Sequence, residues 1–173
     1  VEANPSTTTV FKIRDAYRDN YCNGFLAIGG GSPMDAAKAA AALIVRPDKQ
    51  IGDMAGLFKV GRRLPPFVAV PTTAGTGSET TIAAVITDAA THHKYAIMDL
   101  NLVPLYAVMD PELTRDLPQK TTSTTGMDAL THAVEAYVST AANPLTDAAA
   151  IKAIDKIVHY LPQAVANGDY MKA

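Results

Sequence analysis

Two short segments of this chain put small residues where a phosphate can be held. Gly29-Gly30-Gly31-Ser32 follows the apolar run Gly24-Phe25-Leu26-Ala27-Ile28 and precedes an Ala-rich run over 36–45, so its glycines fall at a strand-to-helix turn. At such a turn the first helical N–H groups lack intrahelical partners, and the helix dipole favours an anion. Glycine also lets the backbone approach a pyrophosphate where a Cβ would stand in the way. The segment is not G-x-G-x-x-G, because Met34 holds the last glycine place, and no Gly-Lys-Ser/Thr follows as in a P-loop. Taken alone, it suits a tight turn as well as a phosphate. The second segment, Pro71-Thr72-Thr73-Ala74-Gly75-Thr76-Gly77-Ser78-Glu79, adds hydroxyls and glycines after another apolar run, Phe67-Val68-Ala69-Val70. Ligands of open α/β sheets sit outside the carboxyl ends of strands, so the two turns together favour a nucleotide.

A third constellation suits a metal. Asp128 and His132 are four residues apart in a helical stretch, about 40° apart around the helix axis, so one ion can reach both. Glu135 falls on the same stripe, beside an apolar stripe of Met127, Leu130, Val134 and Tyr137. A local hydrogen-bonded pair is the commoner use of an Asp and a His at this spacing. Two ligands are also fewer than the three that catalytic metals usually take from protein. His92 and His93 sit beside Thr91 and Lys94 in a polar stretch and read as surface residues; His159 falls late in a helix, where a cation suits the dipole. Cys22, the one cysteine, cannot form an intrachain disulfide and reads as a small buried hydrophobe.

The elements that must position these residues follow from periodicity. Helical spacing over 7–20 (Val10, Ile13, Ala16, Tyr17) leads into a buried strand over 24–28. Ser32 reads as the cap, Pro33 as the first helical residue and Asp35 as the acidic residue of the first turn of a helix running to Val45. Residues 46–66 carry prolines and glycines and read as loop, with one short helical piece over 51–58. A second buried strand spans 67–70, a hairpin joins 82–87 to 94–98, and a short strand covers 105–109. From Pro118 onward the pattern is helical: 126–138, 144–161, and 162–166 with Gly168 as a stop. The composition shift at 116–118 marks a boundary between an α/β part, 1–117, and a helical part, 118–173.

Bulk properties remove other classes. A chain of 173 residues with 48% hydrophobic residues and a formal net charge of −2 describes a globular domain, or one domain and part of another. There is no basic excess for nucleic acid. The longest apolar stretch, 39–45, is too short for a bilayer, and Val1-Glu2-Ala3-Asn4-Pro5 has neither the basic flank nor the apolar run of a signal peptide. The expected setting is cytoplasmic, without a membrane partner. Residues 1–5 read as the end of a strand, with no initiator Met, so a chain cut from something larger is expected.

Gly29-Gly30-Gly31-Ser32-Pro33-Met34-Asp35-Ala36-Ala37-Lys38, Pro71 to Glu79, and Gly126-Met127-Asp128-Ala129-Leu130-Thr131-His132-Ala133-Val134-Glu135-Ala136-Tyr137 occur in this order. All three segments resemble signatures of the iron-containing (group III) alcohol dehydrogenases. The resemblance implies an α/β dinucleotide-binding domain over 1–117, with its first strands missing, and the beginning of an all-helical metal-binding domain over 118–173. Gly30, Gly31 and Ser32 then match the pyrophosphate turn, and Asp35, Thr72, Thr73, Thr81 and Lys94 match positions around the cofactor. Asp128 and His132 match the first two metal ligands. The other two, both histidines, are expected beyond Ala173. The implied activity moves a hydride between NAD or NADP and a small primary alcohol or aldehyde, assisted by Fe(II), with Zn(II) suited to the same donors. A homo-oligomer is expected. The competing reading is a nucleotide-binding module without catalysis, which needs the two glycine turns but not the Asp128–His132 helix.

Overall fold

The computed structural model describes residues 1–168. They form two compact units, one of Val1–Pro71 and Ser78–Met109, the other of Thr72–Gly77 and the chain from Asp110 onward. The division therefore falls earlier than the composition shift at 116–118, and Thr72–Gly77 goes with the helices. Residues 169–173 of the expected helical domain lie outside the described residues.

The first unit is the expected α/β layer. Helix α1 (Thr7–Asp19) is capped by Ser6, whose side chain accepts from the Thr9 N–H, and it leads to β1 (Phe25–Gly29) and α2 (Gly31–Val45). Strands β1 and β3 (Phe67–Pro71) pair in parallel, Phe25 opposite Phe67 through Gly29 opposite Pro71, with β6 (Tyr106–Ala107) on the far side of β3. A second sheet has the order β2 (Gly56–Leu57), β5 (Lys94–Met98), β4 (Ala83–Thr87), in which β4 and β5 form the expected antiparallel hairpin. Every residue of α2 from Ala36 to Leu43 is buried. A helix covered on all sides must be small, and alanine lets α1, β1 and β4 close around it. Tyr17 stacks on Phe25 at 4.7 Å, and Phe25 on Phe67 at 5.9 Å, so α1, β1 and β3 share one aromatic column.

Several local expectations change. The cap of α2 is Gly30, without a side-chain cap bond, so Ser32 sits inside the first turn and Asp35 in the second. Over 51–58 there is a 3-10 turn, Gly52–Met54, followed by β2. The last strand is confined to β6. Strand β1 is covered on one face only: Ala27 is buried, whereas Leu26 and Ile28 are exposed. Strands of parallel sheets carry apolar residues on both faces, so sequence alone does not tell which face is covered. Cys22 is exposed, because it follows the left-handed Tyr21 in the turn that ends α1.

The second unit pairs two long helices, α3 (Gln119–Val138) and α4 (Pro144–Ala166). Helix α3 begins seven residues before the expected Gly126, through a hydroxyl-rich stretch of low helix propensity. Its hydroxyls are satisfied inside the helix: Ser123 donates to the Lys120 carbonyl, Thr124 to Lys120 and Thr125 to Thr121. Helix α4 opens with a capping box at Asn143 and Thr146 and runs through Pro162 without a break. Pro162 has no N–H to give the Val158 carbonyl, while the Gln163 side chain donates to the His159 carbonyl at 2.7 Å. The packed face of α3 is made of small residues, with Gly126 and Ala133 buried and Val134 exposed. Val134, on the apolar stripe that the sequence shows, is not the covered residue: close approach of α4 selects the stripe without bulky side chains. Among the described residues no helix is long and apolar enough to cross a membrane.

Candidate functional site

The amino end of α2 is where the sequence puts its phosphate. Gly30 is extended, φ −80° and ψ −162°, and brings no capping side chain to the first N–H groups of a 15-residue helix. Gly29, at φ +142°, allows the chain to turn there, and a Cβ on it would lie 2.6 Å from Pro33 Cγ. Glycine at 29 is thus required by the turn itself, while Gly30 and Gly31 keep the approach to the helix end clear.

Asn4 gathers two of the expected cofactor residues. Its N–H donates to Ser32 Oγ at 3.3 Å, and its Oδ1 accepts from Lys94 Nζ at 3.2 Å. A cation from the start of β5 is thereby tied to a hydroxyl in the first turn of α2. Asn4 adopts φ +55°, a left-handed conformation that asparagine tolerates better than most residues. Sequence reading missed Asn4; a polar residue of αL tendency directly before a proline was the available signal.

Asp35, Thr81 and the unanticipated Lys38 form a second, deeper cluster. Lys38 is fully buried, and its Nζ donates to the carbonyls of Ser78 at 2.6 Å, Thr81 at 2.9 Å and Ala83 at 3.0 Å, and to Thr81 Oγ1 at 3.1 Å. Asp35 accepts from Ser78 Oγ at 2.7 Å and from the Val85 N–H at 3.0 Å. Burial pushes the Asp35 carboxyl above its ordinary value, against the Val85 and Ser78 donors and the Lys38 charge. Burial also pushes Lys38 down to about 8, against the pull of Asp35 and Glu79. Asp35 and the Thr81 hydroxyl are thus engaged with protein groups. A lone lysine in the otherwise apolar stretch 36–45 was the signal for this cluster.

The remaining residues belong to the helical unit. Thr72 and Thr73 open the 72–77 turn, both partly buried. Asp128 and His132 lie one helical turn apart on α3, about half exposed, with Oδ1 and Nε2 3.8 Å apart. That separation is too long for a hydrogen bond, so neither lone pair is used up by the other. Two ligands each about 2.1 Å from a shared ion lie roughly 3–3.5 Å apart, a distance that a small side-chain rotation reaches. Among the described residues no three metal-ligating side chains cluster, so this pair can supply only part of a coordination shell. His92, at φ +57°, and His93 are exposed in the β4–β5 turn, and exposed His159 meets Tyr160 edge-on at 4.5 Å.

Known proteins resemble this chain along nearly its whole length. The family model for iron-containing alcohol dehydrogenase matches residues 1–111, and that for the C-terminal part of the Fe-containing alcohol dehydrogenase family matches residues 122–173. The NAD-dependent methanol dehydrogenase of Bacillus methanolicus is 45% identical over 172 residues, 99% of this chain and 45% of that protein. The NADPH-dependent butanol dehydrogenase of Clostridium saccharobutylicum is 45% identical over 163 residues, 93% of this chain and 42% of that protein. The solved alcohol dehydrogenase from Oenococcus oeni matches with a TM-score of 0.96 at 41% identity, over 99% of this chain and 45% of that one. The chain spans less than half the length of these relatives. With both family models matched in order along it, the chain belongs to the iron-containing alcohol dehydrogenase family.

Proposed function

We propose that the protein carrying this chain transfers a hydride between a nicotinamide dinucleotide and a small primary alcohol or aldehyde, with a divalent metal ion held in part by Asp128 and His132. The observation that carries the reading is the amino end of α2: an uncapped helix start at Gly30, linked through Asn4 from Ser32 to the Lys94 ammonium. Free N–H groups, a helix dipole and a cation together suit a diphosphate. The relatives named for methanol and butanol support a small alcohol, and they carry NAD in one name and NADPH in the other.

Gly30, Gly31 and Ser32 would bind the diphosphate, with Lys94 adding charge, and the family resemblance assigns Thr72 and Thr73 to the cofactor as well. Asp128 and His132 would hold the ion, with iron favoured by the family and zinc suited to the same oxygen and nitrogen donors. When bound, the nicotinamide supplies the hydride donor or acceptor and the ion supplies Lewis acidity toward the substrate oxygen. The two side chains would offer that ion a carboxylate oxygen and an imidazole nitrogen. Neither has to act as a nucleophile. The family reading extends to a cytoplasmic homo-oligomer.

The test uses the full-length protein with His132→Ala and Asp128→Asn, measuring metal content by elemental analysis beside steady-state rates. In His132→Ala, metal content and kcat fall together, while cofactor affinity stays within about twofold, because the phosphate-binding residues are not on α3. Asp128→Asn keeps an oxygen but loses its charge, so it lowers metal content less. Full metal occupancy with full activity in His132→Ala would remove the pair from the metal site and leave a nucleotide-binding module.

A further inference from the structure

We propose that Lys38 and Asp35 are positioning residues that fasten the path from Ser78 to Val85 onto α2, so that the phosphate-binding end of that helix and the β4–β5 hairpin carrying Lys94 form one rigid cofactor platform. The inference rests on the cofactor reading above and assigns these residues a part in it that touches no cofactor.

The geometry is specific. An ammonium has three N–H donors, and the carbonyls of Ser78, Thr81 and Ala83 lie within 2.6–3.0 Å of Lys38 Nζ. Successive points of one backbone path are therefore held by a single atom. Thr81 Oγ1 lies 3.1 Å from the same Nζ; it can only accept there, which turns the hydroxyl inward. One turn earlier on α2, Asp35 holds Ser78 Oγ and the Val85 N–H, so both ends of the path are tied to the same helix. Val85 lies in β4, and β4 pairs with β5 so that Thr87 faces Lys94. The position of Lys94 relative to the start of α2 is thus set from two sides, by Asn4 at the surface and by Asp35 and Lys38 underneath.

Stability alone is a poor reason for this arrangement. A fully buried ammonium gives up its hydration, and buried ionic groups replaced as a whole by apolar residues of similar volume often leave stability unchanged or improved, so their net contribution to stability is small. Methionine fits the lysine stem and would leave the stretch 36–45 apolar throughout. What methionine does not do is hold three carbonyls at fixed points.

The test compares full-length Lys38→Met with Leu43→Ala, a buried core truncation five residues further along the same helix whose apolar side chain makes no hydrogen bond to the 78–85 path. Thermal midpoint and NADH affinity by fluorescence titration are measured for each. Lys38→Met is expected to bind NADH at least tenfold more weakly at a loss of thermal midpoint no larger than that of Leu43→Ala, whereas Leu43→Ala keeps its affinity. Equal NADH affinity in Lys38→Met and the unaltered protein overturns the proposal, as does a loss of affinity that merely follows the midpoint in both variants. Should Lys38→Met not fold, Asp35→Asn carries the same comparison, and loss of folding in both assigns the cluster to the fold alone and overturns the proposal. An unaltered protein that binds no dinucleotide sinks the cofactor reading instead, which keeps the two failures apart.

Discussion

A Cβ built on Gly75 would lie 2.5 Å from the carbonyl oxygen of Thr125 and 2.8 Å from its Cβ. The turn that follows β3 therefore runs against α3 with no room for a side chain. The obstacle is helix backbone, which cannot rotate aside as a side chain can. In full-length protein, Gly75→Ala is expected to cost about 1–3 kcal/mol, the usual range for overpacking. Urea denaturation measures it, and a midpoint equal to that of the unaltered protein would show that the turn moves away from α3 freely.

Gly31 has a different task, at the first position of α2. Valine has a higher helix propensity than glycine, so the fold is expected to survive Gly31→Val. The branched side chain would stand where a pyrophosphate meets the helix end. Affinity for NAD and NADP, measured by calorimetric titration of the full-length protein, should fall by at least about tenfold, or about 1.4 kcal/mol. Unchanged affinity for both would take the phosphate away from this turn.

The buried ammonium predicts a pH dependence with a definite sign. Burial brings Lys38 to about 8 in the fold, against about 10.4 in an unfolded chain. Between those values the folded state binds fewer protons than the unfolded one, so this residue's contribution to stability rises with pH across that window. Lys38→Met abolishes the contribution. The stability of the unaltered protein minus that of Lys38→Met is expected to increase from about pH 7.5 to about pH 10, read from urea midpoints at each pH. A flat difference would mean that the folded lysine titrates as it does in an unfolded chain, and a falling one that it titrates higher; either overturns the prediction.

Much of this protein was legible in its sequence, and the rest was not, for a physical reason that is the same at each site. Local chemistry writes itself into neighbouring residues. The three glycines between an apolar run and an alanine run determined a strand, a turn and a helix start, and Asp128 and His132 at four-residue spacing determined that both lie on one side of α3. Which partner a residue meets depends on segments distant in the chain, and one sequence carries no record of their approach. Only the fold brought Ser78 and Thr81 over Lys38, some forty residues away, and turned a lysine in an apolar helix into the anchor of a loop. Only the packing of α4 decided that Gly126 and Ala133, not Val134, are covered. Gly75 looked like part of a phosphate turn because glycine serves every close approach alike. The approaching group, the Thr125 carbonyl fifty residues away, is fixed by tertiary structure alone.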